Sequence, residues 1–197
     1  MAQEPGEWEV GGSVGYGWYR NGSIYGPGET IQAGIRNRFA AGAVVGEDLY
    51  NYVSGEVRWL YQDGHPFIQG PGFRTDIQGN SNTFTYDTLA YFRPKERRIR
   101  PFVAAGAGAK DYVIAGPAPL VQPVPTIATL ATHDQWKFVA DVGGGVKFLV
   151  HTHVLMRVDF RDYMTSFPRS QIVPAAGNTA RGILQQFTVL LGVSGWF

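Results

Sequence analysis

The sequence predicts an all-β protein, an eight-stranded antiparallel up-and-down barrel that crosses a membrane with its strands. Three observations carry this prediction. Segments of about ten residues alternate apolar with polar or small side chains, at the two-residue period of a strand. The connections between them run long, short, long, short, long, short, long, the order that eight strands produce when both termini lie on one side. No apolar run approaches the roughly 20 residues that a helical span needs, yet the chain holds 26 Gly, 5 Trp, 10 Tyr and 12 Phe with 17% charged residues.

Residues 1–6 read as an N-terminal tail. In the first strand, Glu7 to Tyr19, Trp8, Val10, Val14, Tyr16 and Trp18 share one face against Glu9, Gly11, Ser13, Gly15 and Gly17. Asn21-Gly22 and the Gly-Pro-Gly after Tyr25 then break the pattern and open a long connection over about 20–37. A second strand follows at about Arg38 to Gly46, where alanine blurs the phase. After a short turn at Glu47, Asp48 and Asn51, Tyr52 to Gln62 sets Val53, Val57, Trp59 and Tyr61 against Ser54, Glu56, Arg58 and Leu60. The connection over 63–83 is rich in Gly, Pro, Asn and Asp, and such lengths are rare inside compact soluble domains.

The fourth strand, about Phe84 to Phe92, places Phe84, Tyr86, Ala90 and Phe92 opposite Asp87. A short basic turn, Arg93 to Arg100, leads to a small-residue strand from Phe102 to Lys110. The next connection, over 111–135, holds four prolines between Gly116 and Pro125, which excludes a central strand there. Trp136 to Val150 alternates throughout, with Trp136, Phe138, Val142, Val146 and Phe148 against Lys137, Asp141, Gly143, Gly145 and Lys147. Past the turn at His151, Thr152 and His153, Val154 to Met164 opposes Met156, Val158 and Phe160 to Arg157, Asp159 and Arg161. A fourth long connection over 165–181 precedes the last strand, Gln185 to Phe197.

That last strand carries Phe187, Val189, Leu191 and Val193 on one face and ends on Phe197. Terminal Phe after such alternation resembles the C-terminal signal of bacterial outer-membrane β-barrels, which the resemblance implies is read by the barrel-assembly machinery. Gly195 departs from it, standing where an aromatic is common. The stretches GEVRWLY at 55–61, IRPFVAAGAGA at 99–109 and LMRVDFRDY at 155–163 extend the resemblance to the small eight-stranded outer-membrane barrels, the OmpA-like and OmpW-like transmembrane domains. It covers nearly the whole chain. It implies a monomer in the outer membrane of a Gram-negative cell envelope, with outer-membrane lipids as neighbours, short turns in the periplasm and long loops outside. The family's members differ in activity, so fold and location transfer better than function.

At a net charge of +1, with 17 basic residues scattered among 16 acidic ones, the chain lacks the basic stripe of a nucleic-acid binder. With no cysteine there is no disulfide, thiolate catalysis or cysteine zinc site. The opening MAQEPGEWEV has no apolar signal segment, so Met1 reads as an added start before a mature N-terminus at Ala2 or Gln3.

With the apolar phases toward lipid, the interior receives Glu9, Glu56, Asp87, Asp141 and Asp159 beside Arg58, Lys110, Lys147, Arg157 and Arg161. An eight-stranded bore is just wide enough for side chains to fill, so these charges are expected to pair into a plug. Trp8, Phe148 and Phe197 at the turn side, and Trp18, Tyr61 and Trp136 at the loop side, are expected at the two membrane interfaces. Arg93, Lys95, Arg97, Arg98 and Arg100 read as a solvated turn or a contact to lipid phosphates. His151 and His153 lack a third ligand and read as solvated, with no metal and no cofactor.

The function expected is therefore structural or surface-interacting, through long outer loops with an unidentified ligand. A narrow porin-like channel is the alternative. A lipid-modifying enzyme would need a His with a Ser and an acid near the outer leaflet. His65 and His133, with Ser81, Ser166 or Ser170, are the residues available, and no motif joins them. A soluble lipocalin-like barrel would exchange the two faces, crowding Trp and Phe into a narrow bore.

Overall fold

The computed structural model describes residues 7–26, 29–117, 119, 124–180 and 182–197, and every regular element among them is a strand. In chain order these are β1 (Trp8–Arg20), β2 (Gly22–Gly26), β3 (Glu29–Ile35), β4 (Arg38–Tyr50), β5 (Val53–Asp63), β6 (Pro66–Gly70), β7 (Phe73–Asp76), β8 (Gly79–Tyr91), β9 (Ile99–Ile114), β10 (Ala128–Leu130), β11 (Gln135–His151), β12 (Val154–Ser166), β13 (Ile172–Pro174), β14 (Thr179–Ala180) and β15 (Ile183–Trp196). The tail at 1–6 and residues 118 and 120–123 of the proline-rich stretch lie outside the described residues.

Eight of these strands are staves of one closed antiparallel barrel, in the order β1-β15-β12-β11-β9-β8-β5-β4 and back to β1. Closure joins the first and last staves in a continuous register from Glu9 opposite Trp196 to Arg20 opposite Gln185. At the turn side Trp8 N–H donates to Phe197 C=O at 2.8 Å and Phe197 N–H returns a bond to Trp8 C=O at 3.0 Å. Closure leaves no barrel edge with unpaired backbone groups, which lipid would not solvate.

Period-two alternation then decides what each side chain meets. Val14, Phe138, Phe160 and Leu191 point outward and are exposed, while Arg58, Asp87, Asp159 and Arg161 point inward and are buried. A soluble barrel would show the opposite assignment, so this polarity excludes the lipocalin-like arrangement.

The staves are longer than a membrane requires. About 9–11 tilted residues span the hydrocarbon, whereas β9 has 16 residues and β11 has 17. In β9 the surplus lies at both ends, from Ile99 at the turn side and to Ile114 at the loop side. The sequence pattern ends the fifth strand at Lys110 and starts the fourth at Phe84; in the structure the ladder continues to Ile114 and back to Gly79. Above the lipid both faces of a strand meet polar surroundings, so the hydropathy contrast fades at Asn80, Asn82 and Asp111 while hydrogen bonding persists.

The long connections are a larger departure, because they are built as a second layer of sheet. A five-stranded sheet in the order β14-β2-β3-β6-β7 and a two-stranded sheet of β10 and β13 sit on the loop side of the barrel. Gly70-Pro71-Gly72-Phe73 joins β6 to β7 in a tight turn: Pro71 presets φ for the first central position, and Gly72 takes φ 79° at the second. Beneath lies a core of Ile24, Ile31, Ile68, Ile127, Phe167 and Ile172, with Ala33, Ile77, Ala128 and Leu130 completing it. We call this layer the cap.

Candidate functional site: the filled bore

The bore is stacked in layers from the turn side upward. Its floor is aromatic and apolar, with Tyr91 and Phe102 edge to face at a centroid distance of 5.7 Å and Trp196 and Leu155 buried nearby. Arg100 belongs to this floor. Although it closes the basic turn in the sequence, the register of β9 points it inward, where Nη1 donates to Asp48 at 2.8 Å and the guanidinium lies 3.8 Å over the Tyr91 ring. It therefore leaves the set available to lipid phosphates, and Arg93, Arg97 and Arg98 stay exposed. Beside it, a cavity of about 10 Å³ is bordered by Glu9, Asp48, Ser54, Arg100 and Lys147, room for about one water.

Charge fills the next layer. Glu56 on β5 is its hub, accepting from Arg58 at 2.5 Å, Arg157 at 3.1 and 3.2 Å, and Arg161 at 3.1 Å. Arg157 on β12 uses all three nitrogens: Nε donates to Asp159 at 2.7 Å, Nη1 to Glu9 at 3.1 Å, and Nη2 to Asp159 at 2.9 Å. Arg58 also reaches Asp159 at 3.3 Å, Arg161 holds Asp141 at 3.0 Å and Asp87 at 3.2 Å, and Lys147 pairs with Glu9. Planar guanidinium forks suit such shared carboxylates better than ammonium groups. Space for them comes from glycine on the facing stave: a Cβ on Gly143 would fall 2.6 Å from Arg161 Cδ.

Glu9 enters this layer fully, tying β1 to β11 and β12, while Lys110 stands outside it. An apolar belt of Ala40, Leu60, Val139, Tyr163 and Leu190 separates them. Above the belt Lys110 Nζ donates to Gln186 Oε1 and, at 3.3 Å, to Tyr19 Oη, with the rings of Tyr112 and Tyr19 within 5.1 and 5.2 Å. Gln186 passes the chain on to Gln62, and Tyr112 Oη bonds Thr165 Oγ1 at 2.8 Å. Tyr19, Ile35, Tyr112 and Leu184 then seal this polar pocket beneath the cap. Period-two alternation puts Lys110 on the inner face of β9, and height along the bore decides its partners.

The outer surface carries the other predicted residues. Trp8, Trp136, Phe148 and Phe197 are exposed, and Trp18 and Tyr61 are half-buried among their neighbours. At the loop side Trp18 stacks with Phe187 at 6.1 Å and contacts Phe160 at 6.2 Å, and Phe84 stacks with Trp136 at 6.5 Å. Val189, Leu191 and Val193 continue the β15 outer face below Phe187.

The histidines are dispersed. His65 borders the cap, its Nε2 3.7 Å from Asp63, and burial, then the Arg38 charge, push its imidazole below the ordinary value. Ser81 is buried inside the bore, Ser170 donates its backbone N–H to Gln135 at 3.3 Å, and His133 is exposed. His151 bonds Thr152 at 3.0 Å in the turn, and His153 C=O accepts from Trp196 N–H at 2.9 Å.

No protein-family model and no curated sequence matches the chain. Solved structures do. The outer membrane protein OprG from Pseudomonas aeruginosa aligns over 100% of this chain and 98% of its own at 10% identity, with a TM-score of 0.57. Neisserial surface protein A aligns over 96% and 97% at 10% identity, with a TM-score of 0.56. The outer membrane protease OmpT from Escherichia coli aligns over 100% and 99% at 9% identity, with a TM-score of 0.53. At such identities the likeness establishes the fold: this chain is similar to the small outer-membrane β-barrels in architecture.

Proposed function

We propose that this protein is an integral barrel of the bacterial outer membrane, closed to solutes, that serves a structural or surface-interaction role through its cap. The observation that carries the reading is the polarity of the molecule: large apolar side chains cover the outside of the barrel while charged groups such as Glu56, Asp159 and Arg161 are sealed inside it. Only a hydrocarbon surround makes that distribution favourable. Support for a closed bore comes from its stacked floor, charge layer and apolar belt, since the paired charges fill the width that eight staves enclose. Support for a role outside the membrane comes from the cap, the part of the fold that rises above the lipid.

The test is reconstitution. In detergent or lipid vesicles the folded protein is expected to migrate faster on gels before heating than after, and to be nearly silent in planar bilayers. A monodisperse protein in detergent-free buffer would overturn the membrane reading, and a large steady conductance would replace the closed plug with a porin-like channel.

A further inference from the structure

We infer that Asp87 and Asp141 hold one proton between them, so that the bore contains a built proton-binding site above Gly106. Register creates it. Asp87 on β8 and Asp141 on β11 are both directly opposite Gly106 of β9. Residues flanking a middle strand are about 10 Å apart at the backbone, too far for two aspartates to touch across an ordinary side chain. Glycine removes that obstacle, and both carboxyls lean into the space above it: a Cβ on Gly106 would collide with Oδ1 of each.

The two Oδ1 atoms crowd one point: the position of a Gly106 Cβ lies 2.0 Å from Asp87 Oδ1 and 2.7 Å from Asp141 Oδ1. The Oδ2 atoms turn the other way, to Arg161 Nη1 at 3.2 Å from Asp87 and 3.0 Å from Asp141. Neither Oδ1 receives a donor from the rest of the protein, and Asp87 is wholly buried. Ionised carboxylates are acceptors without donors. Two of them meeting in a dry interior would repel and leave both oxygens unsatisfied, so a pair this close does not ionise twice. A single proton turns the contact into an O–H···O⁻ bond and satisfies both.

Charge balance reaches the same answer independently. The groups that face the pair are Glu56 and Arg58 from β5, Asp159, Arg161 and Tyr163 from β12, and, farther along the layer, Glu9 from β1 and Lys147 from β11; β9 contributes glycine. With Arg157 the layer holds five carboxyls and four cations. Lys110, which would even the count, lies across the apolar belt with Tyr19 and Gln186. One shared proton makes the layer neutral where it is driest.

Infrared spectroscopy of the full chain folded in lipid vesicles at neutral pH, with aspartate labelled by carbon-13 at the carboxyl, reads this proton directly. The expected result is a protonated-carboxyl C=O band that shifts with the label and disappears in both Asp87→Asn and Asp141→Asn. It stays unchanged in Asp76→Asn, which removes a carboxyl of the cap. Both buried variants are expected to fold with the wild-type unfolding midpoint, because the amide N–H donates the bond that the proton made. Absence of any band that either substitution removes overturns the inference. So does loss in one variant alone, which would place a private proton on one carboxyl, and so does failure of both variants to fold.

Discussion

The barrel and the cap are built from the same backbone arrangement with opposite interiors. Inside the staves the fully buried side chains include Arg157, Arg161 and Lys110; inside the cap they include Ile24, Ile31, Ile68 and Ile172. The chain does not change its rules between the two regions, but the surroundings change. Around the staves hydrocarbon takes the apolar side chains at no cost, leaving the bore to polar groups that must satisfy each other. Around the cap water removes that freedom, and an ordinary apolar core forms by the hydrophobic effect. Stability in one region therefore rests on completing a charge network, and in the other on filling a volume.

Breaking the network gives the largest expected effect. Asp159→Ala takes away the acceptor of Arg157 Nε and Nη2 and of Arg58 Nη2, leaving buried guanidinium charge short of a partner. Truncating one member of such a buried set costs about 3 to 5 kcal/mol. Urea unfolding in lipid vesicles is expected to show that loss, and planar-bilayer recordings a flickering anion conductance absent from the wild type. An unchanged unfolding midpoint would mean that water already fills the bore.

Next in size is a break in the cap. Ile68 on β6 is wholly buried between Ala33 on β3 and Thr75 on β7, under β10 and β13. Ile68→Ala removes core volume and costs about 2 to 5 kcal/mol. Because the cap has its own core, the loss is expected to appear as local opening: protease added outside cuts between Asp63 and Asn82 in the variant while the barrel keeps its heat-dependent gel shift. In the wild type β6 and β7 tie most of that segment into the cap sheet, and it is expected to resist cleavage. Loss of the barrel's gel shift together with the cap would show one cooperative unit instead of two.

How legible each region is in the sequence follows from the same contrast. Stave alternation, the inward charges and the outward aromatics are all visible, because a lipid boundary forces a strict two-residue period. The cap hides behind glycine, proline and polar residues that read as loop. One signal was available: of the ten isoleucines, seven (Ile24, Ile31, Ile35, Ile68, Ile77, Ile127 and Ile172) fall between staves and the other three at stave ends. A β-branched residue recurring in connections of that length marks strands with a core to bury. Long-range height, by contrast, is not written in any local pattern. That Arg100 meets Asp48, that Lys110 sits above the belt, and that Gly106 lets Asp87 reach Asp141 depend on how eight registers combine.

The smallest expected effect isolates environment from geometry. Arg36 Nη1 meets Asp76 Oδ2 at 2.7 Å beside the cap, the same separation as Arg157 Nε from Asp159 Oδ2 in the bore. Side-chain exposures differ completely, 40% and 34% against 1% and 0%. In water the pair at the cap is screened and its ordering cost nearly offsets its attraction, so Arg36→Ala is expected to cost about 0.2 to 1 kcal/mol. Salt separates the two pairs further: raising ionic strength shortens the Debye length from about 10 Å at 0.1 M to about 3 Å at 1 M, which removes the Arg36→Ala difference and leaves that of Asp159→Ala in place. Cap opening, followed by protease susceptibility in low and high salt, measures the first; unfolding in vesicles measures the second. If Arg36→Ala destabilised the cap as strongly as Asp159→Ala destabilises the barrel, and did so in high salt, the cap would be shielded from water and the division between a charge-filled barrel and a water-facing cap would fail.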